Sequence, residues 1–89
     1  MDATDLLDQY AALFNLYLAY TLDDMAAQCE VEVEDLPTGV TAMAFYSDGS
    51  SMQCAAFVKD GKLRRFTDDD EGEPTALEEL RAAGDPRDS

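Results

Sequence analysis

Two Asp-Gly dipeptides, Asp48-Gly49 and Asp60-Gly61, each sit between runs of strand-forming residues. Both members of such a pair tolerate positive φ, the backbone sign that a two-residue hairpin turn demands. The flanking runs, Val40–Ser47, Met52–Lys59 and Lys62–Thr67, therefore read as an antiparallel meander. With each Asp-Gly pair as the loop, Phe45 faces Met52, Met43 faces Cys54, Thr41 faces Ala56 and Val58 faces Leu63. Directly opposed residues share a sheet face, so this set makes one apolar face for a helix to cover. The other face carries Val40, Ala42, Ala44, Tyr46, Ala55, Phe57, Arg64 and Phe66. It is too apolar for idle surface, which leaves a C-terminal helix or a partner to cover it.

A helix is predicted at the N-terminus. Asp2 or Thr4 can cap it, and Asp5 suits the positive end of the helix dipole. At 100° per residue, Leu6, Leu7, Tyr10, Leu13, Phe14, Tyr17 and Leu18 fall on one arc, with Asp5, Asp8, Gln9, Ala12, Asn15 and Ala19 opposite. Leu16 and Tyr20 break the pattern. They mark either a wide buried arc or a partner contact. Thr21 and Asp24 resemble a capping box, so the helix either bends or gives way to a second one.

Glu30–Glu34 reads EVEVE, a strict period of two, and predicts a strand with Val31 and Val33 inward. Leu36-Pro37-Thr38-Gly39 breaks it. Near the C-terminus, Thr75 and Glu78 form a capping box for a short helix striped by Leu77 and Leu80. Gly84 and Pro86 end that helix. The expected fold is α+β: a small antiparallel sheet of about three or four strands, covered by a long N-terminal helix, with a short C-terminal helix. Residues 1–84 are expected to form one domain and 85–89 a flexible tail.

Charge is the other constraint. Twenty acids face six bases, a formal charge of −14 on 89 residues. Residues 1–58 hold ten acids and no Lys or Arg, residues 59–66 hold four bases and one acid, and residues 67–89 hold nine acids and two bases. No secretory leader is expected from so acidic an N-terminus. The most apolar stretch, Tyr10–Leu22, is 13 residues long, short of the roughly 20 that span a bilayer. Cys29 and Cys54 are too few for a disulfide scaffold and read as reduced thiols, with a bridge between them as the alternative. The expected location is the cytoplasm, and the host cytoplasm if the chain is phage-encoded.

The chain has no His, which removes the commonest general base and metal ligand. Ser-His-Asp and Cys-His catalysis and Cys/His zinc sites are thereby excluded within it, and no Gly-rich phosphate loop is present. The acidic run Asp68–Glu73 fails as an EF-hand, because Gly72 stands at a ligand position. We therefore expect no catalytic residue, no metal and no cofactor.

What remains is binding. The candidate partner-binding acids are Asp5 and Asp8 on the first helix, Glu30, Glu32 and Glu34 on the EVEVE segment, and Asp68, Asp69, Asp70 and Glu71 in the acidic run. Tyr20 and Tyr46 are the candidate aromatic anchors, among exposed apolar residues expected to include Leu16 and Phe57. A domain of this length is about 30 Å across, and duplex DNA of that length carries roughly 18 phosphates. Twenty carboxylates approach that charge, so a basic nucleic-acid channel would attract the chain. Direct binding to nucleic acid is not expected. Lys59, Lys62, Arg64 and Arg65 face far more opposing charge, and are read as edge protection or ion-pair partners.

In size, acidity and lack of catalytic groups the chain resembles phage-encoded inhibitors, anti-CRISPR proteins and other DNA mimics among them. The resemblance is one of class and composition. It implies a non-catalytic inhibitor that blocks DNA or RNA access to a basic partner protein. The alternatives are an adaptor or homodimer held by the second sheet face, and an acid-adapted halophilic domain, which the scarcity of Lys would suit.

Overall fold

The computed structural model describes residues 2–66 and 73–88. In chain order the elements are α1 (Ala3–Phe14), β1 (Tyr17–Ala19), α2 (Leu22–Cys29), β2 (Val40–Asp48), β3 (Ser51–Lys59), β4 (Lys62–Arg65), β5 (Glu73–Pro74) and α3 (Leu77–Ala83), with short 3-10 turns at Val33–Asp35 and Pro86–Asp88. The five strands form one antiparallel sheet in the order β1-β2-β3-β4-β5. The α+β class, the N-terminal helix and the short C-terminal helix are as expected, although α1 is only 12 residues long.

The caps explain the helices. Asp2 Oδ1 accepts from Asp5 N at 3.0 Å and starts α1. Asn15 ends it by turning into the left-handed region at φ 55°, and Leu16 N then donates to Ala11 O at 2.8 Å. Asn reaches this conformation more cheaply than most residues. The chain leaves as β1, with Tyr17 opposite Phe45 and Ala19 opposite Met43. The expected arc through Tyr17 and Leu18 is thus corrected: Leu16 and Tyr20 broke the helical period because the helix had already stopped. A second helix, rather than a bend, follows. Thr21 Oγ1 accepts from Asp24 N at 3.1 Å and caps α2.

The EVEVE strand does not form. Glu30 is the left-handed C-cap of α2, at φ 60°, with its N–H bonded back to Ala26 and Ala27 carbonyls. Val31 N also donates to Ala26 O at 3.1 Å. These bonds wind the chain tightly where a strand would need it extended. Val31 and Val33 are exposed, and Val33–Asp35 is a 3-10 turn. Residue alternation supplied a face but no neighbouring strand to bond to.

Both hairpins are present. The second has the expected register, with Val58 opposite Leu63 and Lys59 opposite Lys62. The first turns one position later than expected, so that Asp48 pairs with Ser51 and Phe45 with Cys54. That is a slip of two and leaves faces unchanged. A bulge then places Ala55 as an extra residue: Ala44 pairs with Ala56, Met43 with Phe57 and Ala42 with Val58. One extra residue flips every later side chain to the other face. A second irregularity at Thr41 sets Val40 opposite Lys59.

The bulge decides the core. On one face, Leu7 and Tyr10 of α1 and Leu77 and Leu80 of α3 pack on Ala42, Ala44, Ala56, Val58 and Leu63. On the other, Met25 of α2 packs on Val40, Met43, Phe45 and Phe57. The expected assignment is corrected in two respects. Helix α1 covers the face of Ala42 and Ala44. Phe57 exchanges faces with Ala56 and Val58, and is 2% exposed. The second sheet face is therefore covered from within the chain.

α3 starts at Leu77 with Ala76 as cap and no side-chain cap bond, so the expected Thr75 box is not made. Thr75 Oγ1 instead donates to Glu79 Oε2 at 2.9 Å. Gly84 ends α3 at φ 86°. In the segment expected as a tail, Pro86–Asp88 makes its 3-10 turn, and the Arg87 guanidinium donates to the Phe14 carbonyl and to Asp85. No helix among the described residues is long and apolar enough to cross a membrane.

Candidate partner-binding surface

No charged or polar side chain among the described residues is buried. The carboxylates of both helices and of the segment after α2 therefore lie at or near the surface of a body measuring 33 × 31 × 22 Å. Asp2, Asp5 and Asp8 ride on α1, over one sheet face, and all three are exposed. Asp23 and Asp24 open α2, and Glu30, Glu32, Glu34 and Asp35 follow it, over the other face. The run Asp68, Asp69, Asp70 and Glu71 lies outside the described residues.

The two acid-bearing helices meet at the edge strand β1. Alternate residues of a strand point to opposite faces, and β1 uses this for both helices. Tyr17 lies on the α2 side, and its hydroxyl reaches both oxygens of Asp24 at 3.1 and 3.0 Å. Tyr20, just past the strand, donates its hydroxyl to Asp8 Oδ1 of α1. The Asp8 bond pushes the Tyr20 phenol up to about 12, with smaller contributions from desolvation and the carboxylate's charge. Tyr17 is raised in the same way by Asp24. Each phenol stays neutral and holds a carboxylate in place at the strand.

Tyr20 is 50% exposed and Tyr17 44%. The structure thus brings Tyr20 and Asp8 together at one edge, and adds Tyr17 and Asp24, which the sequence reading did not select. The signal that could have found them was the capping pattern Thr21-x-x-Asp24, which left open a bend or a second helix and so a connector before it. Glu30, Glu32 and Glu34 lie beyond α2, separate from this edge in the chain.

Tyr46 is a correction. It is half-buried against the α1 and α3 core and lines a groove with Tyr10, Leu80 and Pro86. Phe57 is core, and Leu16 is half-buried on the same cluster as Tyr46. The exposed apolar side chains are instead Leu13, Tyr17, Tyr20, Leu22, Val31, Val33 and Phe66. The bulge and the early helix stop moved these residues, which is why a regular register misplaced them.

Neither thiol is set up as a nucleophile. Burial pushes Cys54 up to about 12, with the Cys29 thiol adding to it, and burial also raises Cys29. Both are free. Asp85 is held below the usual carboxylate range by its bonds from Arg87. Among the described residues no group of three or more Cys, Asp or Glu side chains is arranged to hold a metal ion. No protein-family model, no curated protein and no solved structure matches this chain.

Proposed function

We propose that this chain is a non-catalytic acidic inhibitor or regulator. It acts in the cytoplasm by occupying the basic nucleic-acid-binding surface of a partner protein and excluding DNA or RNA. The observation that carries this reading is the charge layout. Residues 1–58 contribute ten acids and no base, and they build both helices that flank β1. Charge supplies attraction that salt screens. Tyr17 and Tyr20, exposed and bonded to Asp24 and Asp8, supply aromatic area beside carboxylates of both helices.

A homodimer or adaptor is the second reading. With the second sheet face covered by α1 and α3, it would have to use another surface, such as the outer edge of β1, one of the two ends of the sheet order. A formal charge of −14 on each copy opposes self-pairing.

The test is a competition. A partner captured from lysate of the source cell is purified and titrated with labelled DNA and with this chain. Mutual displacement is expected, with affinity for the chain falling steeply between about 50 and 200 mM salt. Simultaneous binding of DNA and this chain to each captured partner, without mutual loss, refutes the proposal.

A further inference from the structure

Cys29 is the last residue of α2, and Cys54 lies opposite Phe45 beside the bulge in β3. Both line one open groove of about 260 Å³ on the α2 side of the sheet, together with Met43, Leu36, Phe57 and Phe66. Cys29 Sγ stands 4.0 Å from Met43 Sδ. Two sulfurs each about 2.3 Å from one ion, with about 120° between the bonds, are themselves about 4.0 Å apart. The Cys29–Met43 pair is therefore already spaced as two corners of a trigonal sulfur site, and Cys54 contributes a third sulfur to the same groove.

We propose that Cys29, Cys54 and Met43 form a binding site for a soft monovalent metal ion, with copper(I) as its physiological member. Thiolate and thioether sulfur select this class of ion, whereas zinc favours four nitrogen or sulfur ligands. The chain has no His to complete a zinc set. The groove is open, which provides an entry path, and its apolar floor of Leu36 and Phe57 disfavours a hydrated hard ion. On binding, each thiol releases its proton to solvent as its sulfur bonds the ion. Met43 donates a lone pair with no proton change. The oxidation state of the metal is unchanged, so no redox partner is needed.

The titratable groups lining the groove are Cys29, Cys54 and Asp35. An ordinary thiol is protonated near neutrality, so two protons leave per ion bound by both cysteines. The affinity should then rise about 100-fold per pH unit near neutrality.

The experiment titrates copper(I) anaerobically into the reduced full chain against a chromophoric copper(I) chelator. One equivalent is expected to bind, with that pH slope and with no displacement by equimolar zinc(II). Met43→Leu conserves volume and should keep the fold, as followed by circular dichroism, while weakening binding about tenfold or more. Cys29→Ser should weaken it further. Should Cys54→Ser unfold, the other two variants decide the matter. Less than one equivalent bound, a flat pH dependence, or unchanged affinity in Met43→Leu overturns the proposal.

Discussion

Gly39 precedes β2 with φ +89°, and its carbonyl accepts from Asp60 N at 3.1 Å across the sheet. A Cβ built on Gly39 would overlap Asp60 Oδ1 and sit 3.1 Å from Asp60 Cγ. Gly39→Ala therefore carries two costs. Left-handed backbone in a non-glycine residue costs about 1–2 kcal/mol. Moving the Asp60 carboxylate off its rotamer costs about 0.5–1.5 kcal/mol. The stiffer unfolded chain returns about 0.4–1 kcal/mol. The net loss is about 0.5–3 kcal/mol, or roughly 2–24 °C in Tm for a domain of this size. Urea titration followed by circular dichroism measures it. The Asp60→Gly background separates the two costs, because it removes the carboxylate and suits the φ of 55° at that turn position. In that background the loss should shrink by about 0.5–1.5 kcal/mol. Equal losses in both backgrounds, within about 0.3 kcal/mol, would refute the steric account.

Three further outcomes are expected. Leu7→Ala and Met25→Ala each empty a fully buried site, on opposite faces of the sheet. Each should cost about 2–5 kcal/mol, and because they share no core cluster, smaller truncations at the same sites (Leu7→Val, Met25→Val) should add within about 0.5 kcal/mol in a double variant. Glu30→Gly should stabilise by about 0.5–1 kcal/mol in a denaturant titration, since Glu30 is left-handed and places negative charge at a helix C-terminus. The Tyr20 phenol is raised in the folded state to about 12 from the ordinary value of 10. Its contribution to stability is thus complete below about pH 10 and is lost as pH climbs through about 12. Tyr20→Phe should reduce the alkaline fall in the denaturation midpoint, leaving the part due to the raised Tyr17 phenol and Cys54 thiol, and remove one phenolate transition near pH 12 from the ultraviolet titration.

The class of fold and its punctuation were legible, and the reason is local chemistry. Asp2 and Thr21 cap helices, Gly84 stops one, and Asp60-Gly61 turns a hairpin with both residues at positive φ. What could not be read depends on neighbours far along the chain. Ala55 is the bulged residue, but nothing in Cys54-Ala55-Ala56 announces it. The alanines of β2 and β3 make either register equally easy to write. Asn15 stops α1 where Tyr17 and Leu18 continue the helical period by coincidence. EVEVE alternates, yet Glu30 is already committed to closing α2. The surface placement of the α1 acids was legible because exposed charge needs no register. Tyr46 was misjudged because its exposure depends on where α3 docks.

β1 is only three residues long, yet Leu18 packs with the α1 cluster and Ala19 belongs to the α2 cluster. Detaching this strand from β2 would loosen both helices at once, and with them the two phenol–carboxylate contacts. The edge that looks most prone to fray is consequently tied to the whole molecule's unfolding. Amide protons in residues 17–19 that donate to β2 should exchange with solvent on the same timescale as those of α1 and α2, as one cooperative unit.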